Sequence, residues 1–343
     1  MKKILLATTV LAMSAGFAAA DVSVSGDGRM GIISTEGNSV FEHRVRVKFS
    51  GSGTTDSGLS FGGSFRANEA VYAAGDADSA GDYKNKGSVF ISGAFGKITM
   101  GSVDSGDAAA VGQLSSVGYE GLGSGNSIGY AADGGFIPFV DQALDLDDSA
   151  GAKVLYTYSA GALTVNASSA QLSNDGANQQ AYGLGVSYSA GALTVALGYG
   201  NNSVEGTVID GTSIVDVTGA MTDVSASATY VMGATTVKGI YQDKGLTVSG
   251  GGASYDIASA VSMGASVDHK IDAIKLTAYA ISTNITSDYS DIDVSLNRHG
   301  VGVAYDLGGG ATIQAGWAEY QALDSSNVVE STSVMDAGLN FSF

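Results

Sequence analysis

Apolar and polar residues alternate along most of this chain with a period of two. In residues 41–49 (FEHRVRVKF), Val45, Val47 and Phe49 share one face, and Arg44, Arg46 and Lys48 share the other. Leu59, Phe61, Gly63 and Phe65 alternate with Ser60, Gly62, Ser64 and Arg66. Val224, Ala226, Ala228, Tyr230 and Met232 alternate with Asp223, Ser225, Ser227 and Thr229. Successive side chains of a strand point to opposite faces, so this pattern predicts strands. No segment of comparable length carries the i, i+3, i+4 spacing of an amphipathic helix. Alternation alone also permits a soluble sandwich; with the turns, loop lengths and C-terminus described next, the expected architecture is an all-β, transmembrane antiparallel β-barrel of about sixteen strands between residues 21 and 343. The even number lets a closed ring keep both termini on one side.

The turns repeat as well. The octapeptide YSAGALTV occurs at residues 158–165 and again at 188–195. Related aromatic-turn stretches begin at Phe95, Tyr230, Tyr255 and Tyr305. With Tyr158 and Tyr188, these aromatics are expected to form a girdle at one membrane–water boundary, one row from the short turns. Longer polar connections are expected on the other side, at 75–81, 173–179, 201–220 and 322–330. Short turns at one end and long loops at the other fit an outer-membrane barrel. The count breaks in one place. Strands are expected at 234–242, 246–256 and 259–268, yet residues 273–284 (AIKLTAYAISTN) also alternate and would make a seventeenth. Either one of these segments is a structured loop or a nearby turn is misplaced. At the C-terminus Leu339, Phe341 and Phe343 alternate to the last residue, as suits the closing strand of a barrel.

Composition supports this picture. Fifty glycines and one proline suit many strands joined by tight turns, since proline removes a ladder donor and glycine supplies turn geometry. There is no cysteine, hence no disulfide and no thiolate chemistry. Lys2-Lys3, an apolar run and Ala18-Ala19-Ala20 read as a secretory signal peptide over residues 1–20. Removing it leaves 14 basic against 34 acidic side chains, a balance of −20, opposite in sign to that of a nucleic-acid binder. Residues 21–343 then form one domain.

One connection stands apart. Residues 102–150 contain no clean pair of strands, eight acidic residues including Asp104, Asp107 and Glu120, no Lys or Arg, and the lone proline, Pro138. A connection this long in a compact protein is functional or disordered. DVSVSGDGRMGI at 21–32, FGKITMGSVDSG at 95–106, YDLGGGATIQAGW at 305–317 and the terminal Phe together resemble the general-diffusion porins of alphaproteobacteria, the Rhodobacter type. The resemblance spans the whole mature chain. It implies a sixteen-stranded homotrimeric barrel in the outer membrane of a Gram-negative cell, with a third loop folded inward as a constriction.

The basic residues add a chemical expectation. Arg29, Arg44, Arg46 and Arg66 all fall on the face opposite the apolar one, on three consecutive strands. A guanidinium facing hydrocarbon at mid-depth costs ~2–4 kcal/mol, so these side chains should face a wetted lumen. The resemblance implies that this cationic wall faces acidic residues of the inward loop, with Asp104, Asp107 and Glu120 as candidates. His43, beside the arginines, is expected at the lumen or rim. Gly26, Gly28 and Gly31 match G-x-G-x-x-G, but no helix follows, so a smooth outward strand surface is expected instead of a dinucleotide site. No hydrolase, zinc or phosphate-loop motif appears, and no catalytic residue is expected. No cofactor is expected either, although the Asp-rich outer loops offer oxygen ligands for Ca²⁺. The expected partners are outer-membrane lipid, sister subunits, ions and small hydrophilic solutes. The function so implied is passive diffusion. A substrate-specific channel and a secreted structural β-protein are the alternatives.

Overall fold

The structure, a computed structural model, describes residues 21–71, 86–119, 122, 125–134, 153–174, 177–210, 213–287, 291–323 and 328–343. Residues 1–20, Glu120, Pro138 and the acidic stretch 141–148 lie outside the described residues.

Sixteen strands close into one antiparallel ring. They are β1 (Asp21–Thr35), β2 (Asn38–Thr54), β3 (Ser60–Val71), β4 (Lys86–Gly93), β5 (Gly96–Gly101), β6 (Lys153–Ala160), β7 (Leu163–Asn174) and β8 (Ala177–Ala190). The ring continues with β9 (Leu193–Asp210), β10 (Ser213–Met232), β11 (Thr235–Gly250), β12 (Ala253–Ile271), β13 (Ile274–Ser287), β14 (Ile292–Gly308), β15 (Ala311–Leu323) and β16 (Val329–Ser342). Each strand pairs with its sequence neighbours, and β1 pairs with β16. A closed ring leaves no unpaired strand edge in hydrocarbon, which is what permits a sheet to span a membrane.

The alternation sorts as expected. Met30, Phe49, Phe65, Val89, Leu184, Leu197, Tyr199 and Val301 are exposed on the outer face. Residues of the opposite parity, such as Arg29, Asn166, Asp223 and Gln242, are buried inside. Phe95, Tyr158, Tyr188, Tyr230 and Tyr305 lie at the ends of strands next to short turns at the end of the ring that holds both termini, and are exposed. The turns between them are tight because glycine takes a left-handed conformation, with φ of 61° at Gly161 and 62° at Gly191.

The expected break in the count resolves into two misplaced turns. Residues 243–245 are not a turn, since β11 runs through them to Gly250. Residues 256–258 are not a turn either; they lie within β12, where a bulge shifts its register against Leu246 and Thr247. The true hairpin is Gly251-Gly252, with both φ values positive. Three expected strands thus become two, and residues 273–284 fall in β13. Tyr255 is corrected accordingly: it lies at the opposite end of the ring from the other aromatics and is no part of their row. The turn before β13 is Asp272-Ala273, where Asp272 takes the left-handed φ of 51° that glycine supplies elsewhere. The expected polar connection at 201–220 is also strand for most of its length, because β9 and β10 pair up to Asp210 and Ser213. Likewise β7 and β8 pair up to Asn174 and Ala177.

Closure uses the last residue. The Gly26 amide donates to the Phe343 carbonyl at 2.7 Å, and the Phe343 amide donates back to Gly26 at 2.9 Å. The glycines of the G-x-G-x-x-G match now have separate reasons. Gly26 and Gly28 face outward, where any Cβ would strike the rings of Phe343 and Phe341. Gly31 faces inward, where a Cβ would meet Tyr119.

Candidate functional site

The connection after β5 enters the barrel and lies along its inner wall as a strap. Its described part begins with a short helix, α1 (Gly106–Val111), continues to Tyr119, and returns through residues 122–134. The helix rests on Gly183 and Gly185 of β8 and on Gly198 and Gly200 of β9, which form two cross-strand pairs. A Cβ at Gly185 would come within 2.5 Å of Ala110 Cβ. Bulky Tyr182, Leu184, Leu197 and Tyr199 alternate with these glycines on the outer face.

Farther on, the Val111 carbonyl accepts from Lys238 Nζ of β11 at 2.6 Å and from Ser227 Oγ of β10 at 3.0 Å. Ser115 Oγ donates to Asp268 of β12 at 2.5 Å. Val117, Gly118 and Tyr119 cross a second glycine floor, running from Gly302 of β14 through Gly316 and Gly338 to Gly31 of β1. At Gly316 a Cβ would lie 2.5 Å from the Gly118 nitrogen. The returning segment is tied to the outgoing one: Gln113 and Ile128 exchange two hydrogen bonds of 2.8 Å, and Tyr130 donates to the Gly112 carbonyl at 2.5 Å. Ser105 N–H and Lys153 both reach Asp133. Val111, Leu114, Val117, Leu122, Ile128 and Tyr130 pack with inward residues of the wall into one apolar cluster.

The strap ends on the basic wall. Tyr119 donates to Glu42 Oε2 at 2.6 Å, while Arg29 donates to Oε1 of the same carboxylate from Nε (3.0 Å) and from its terminal nitrogen (2.5 Å). The Arg29–Glu42 pair is buried, so each charge depends on the other. Because Tyr119 lies inside the barrel, Glu42 and its alternate neighbours Arg44, Arg46 and Lys48 face inward too. Arg44 and Arg46 share Asp27, at 3.1 and 2.9 Å. Arg66 lies directly opposite Lys48 on β3. All four arginines point inward; Arg44, Arg46 and Arg66 stay partly exposed, whereas Arg29 is buried beneath Tyr119 and not wetted as expected.

The acidic side differs from expectation. Asp104 is exposed at the start of the strap. Asp107 does not face the lumen: it is fully buried, pressed against Gly183, Gly198 and Gly200. The reason is the helix itself, which turns Asp107 to the wall and leaves Ala109 exposed. No well-aligned donor meets either of its oxygens. Burial, aided by the charge of Asp223 and opposed only in part by Ser105, pushes the Asp107 carboxyl up to about 7. Glu120 lies outside the described residues. The carboxylates that balance the arginines are Asp27 and Glu42, from the wall itself. Their signal was in the alternation, since Asp27 shares a face with Arg29, and Glu42 with Arg44. His43 is corrected as well: it is exposed on the outer face with Val45, not in the lumen. Tyr119 and the two glycine floors escaped the sequence reading, and Lys48 was read on the arginines' face without being counted among the site residues. The alternate glycines 183/185 and 198/200 were their visible trace.

Among the described residues, no group of three or more His, Asp or Glu side chains converges as a metal site. The strap follows the wall from β7 round to β1 and ends on β2, where Tyr119 covers Glu42. The passage that remains runs between the strap and the charged wall.

The model of a family described as Gram-negative porin matches residues 7–328. A protein named porin from Rhodobacter capsulatus is 34% identical over 334 residues, covering 94% of this chain and all of that protein. A solved porin structure, 32% identical, covers 94% of this chain and 100% of its own, with a TM-score of 0.66. OmpT of Vibrio cholerae, an outer membrane protein solved in a trimer form, shares the fold at 17% identity, with a TM-score of 0.68 and 95% of this chain covered.

Proposed function

Because the chain belongs to the Gram-negative porin family, we propose that it is a general-diffusion pore of the outer membrane for ions and small hydrophilic solutes. The observation that carries this reading is the asymmetric interior. A strap is fixed along most of the wall, and the opposite wall presents Arg44, Arg46, Lys48 and Arg66 to the space between them. A passage lined by fixed charges sorts hydrated solutes by size and sign, and needs neither a reaction nor an energy source. The shared ion pair with Asp27 holds Arg44 and Arg46 at fixed positions beside the opening, which supports a constriction.

Export through the leader at residues 1–20 and assembly as a homotrimer complete the reading. The lower wall supports the trimer. β4, β5 and β6 are only 8, 6 and 8 residues long, and with β2 and β3 they expose Phe49, Phe61, Phe65 and Val89 outward. A sister subunit would cover such a face, while the taller strands β9 to β14 meet lipid.

The test is the purified protein in planar bilayers. Stepwise, ohmic conductance is expected, and Arg44→Glu or Arg66→Glu should move the reversal potential in a KCl gradient toward cations. An unchanged reversal potential in both variants would refute the lumenal constriction. Migration as a trimer without boiling and as a monomer after it checks the assembly.

A further inference from the structure

The inner face of β2 to β4 carries an unbalanced row of charge. Lys48 of β2 lies directly opposite Arg66 of β3, and Arg66 directly opposite Lys86 of β4. Residues in direct cross-strand register have Cβ atoms about 4.5–5.5 Å apart and share one face, and like charges so placed repel. The rows nearer the outer mouth are compensated: Arg29 has Glu42, and Arg44 and Arg46 have Asp27. Lys48, Arg66 and Lys86 have no acidic partner among the described residues, and the Nε of Arg66 is buried without a hydrogen bond.

The next inward-facing row down is made of hydroxyls. Ser23, Ser50, Ser64 and Ser88 stand opposite one another across β1, β2, β3 and β4. One row of cations above one row of hydroxyl donors offers charge and hydrogen bonds, with no competing carboxylate in either row. A cavity of about 430 Å³ lies against this wall, bordered by Lys48, Ser50, Ser64 and Ser88, with Lys97 over the Phe90 ring and the carboxylate of Asp21 at its lower edge, one row below the hydroxyls. Phosphate oxygens are met elsewhere by this same combination of ammonium, guanidinium and hydroxyl groups.

We propose that this wall is a binding subsite for polyvalent oxoanions, inorganic phosphate or small phosphorylated solutes, on the inner-mouth side of the constriction. It rests on the pore reading and deepens it: a pore of overall acidic charge would carry one saturable station for anions. A dianion bridging two or three of the cations relieves their mutual repulsion, whereas chloride neutralises one at a time. The preference should therefore rise with anion valence.

Two measurements test it with inorganic phosphate as the probe. In planar bilayers at constant ionic strength, at a pH where phosphate is mainly dianionic, phosphate should reduce the chloride-carried current saturably. Lys48→Ser with Lys86→Ser should weaken that block at least tenfold, while Lys48→Arg should retain it. Phosphorus NMR line broadening on detergent-solubilised trimer should show binding to wild type and its loss in the double variant, whether or not the bilayer experiment yields pores. Failure to form conductance steps in plain KCl would count against the pore, and the NMR would still decide the subsite. Block no stronger than the matching change in chloride, equal block of the double variant, or broadening equal in both proteins overturns the subsite.

Discussion

Replacing Asp107 by Asn should make the docking of the strap independent of pH. In the docked strap Asp107 is fully buried and its carboxyl is raised from 3.8 to about 7. Freed from the wall, it would return to the ordinary carboxylate range. The groups facing it are Asp223 of β10, Ser105 and Asp133 of the strap, and Lys244 of β11. A raised native value means that the docked state holds the proton more tightly, so docking is strongest below the free value and weakens as pH rises through the docked one. The loss is confined to the window from about pH 4 to about pH 7, with a slope of up to ~1.4 kcal/mol per pH unit and a total on the order of 4 kcal/mol. Hydrogen exchange of peptides covering residues 108–119, corrected for the intrinsic rate at each pH, reads this directly. Wild-type protection should fall by up to three orders of magnitude between pH 4 and pH 8, while Asp107→Asn stays flat because the amide mimics the neutral acid. A flat wild-type profile, or an Asn variant that follows the wild type, would refute the reasoning.

Further tests address the ion pair, the floor, the seam and the odd turn. Glu42→Gln removes the carboxylate charge that the buried Arg29 guanidinium faces and should destabilise the barrel by roughly 3–5 kcal/mol in thermal unfolding. Arg29→Met combined with Glu42→Leu should recover most of that loss. Gly185→Leu drives a side chain into α1 and should displace the strap toward the lumen, lowering single-channel conductance without changing strand content by circular dichroism. Gly26→Val meets the Phe343 ring and should lower the yield of heat-modifiable folded barrel in the outer membrane; a normal yield would mean the seam tolerates the clash. Asp272→Gly removes a left-handed non-glycine residue and should stabilise the β12–β13 hairpin by up to ~1 kcal/mol, seen as a small rise in unfolding temperature.

The barrel was legible because period two leaves little freedom: one face is apolar, so register and inwardness follow from any exposed Phe or Val. The same rule correctly placed Arg29, Arg44, Arg46 and Arg66. It failed where local chemistry stood in for glycine or resembled a turn. Asp272 carries a left-handed turn without a glycine, and residues 256–258 bulge within a strand while resembling the aromatic turns around Tyr158 and Tyr188. The acidic side was not legible, because the strap has no periodic relation to the wall it lies on. Nothing in the residues 104–107 says which way a one-and-a-half-turn helix will rotate. Asp107 faces the wall because four glycines on β8 and β9 make room for it there, a fact that appears only when those strands are paired.

The hydrogen bonds between Gly26 and Phe343 also govern the order of events in making this protein. The seam joins residues more than 300 positions apart and involves the final one, so no shorter portion of the chain possesses the complete ring. Until residue 343 has been delivered, β1 and whichever strand came last are bare edges, open to pairing with any other chain. Closure also demands the longest sequence separation available, the slowest class of contact to form. A chain of this design gains a closed edge only when its last strand meets its first. A truncation of even a few C-terminal residues should then cost the assembly far more than its share of the buried surface.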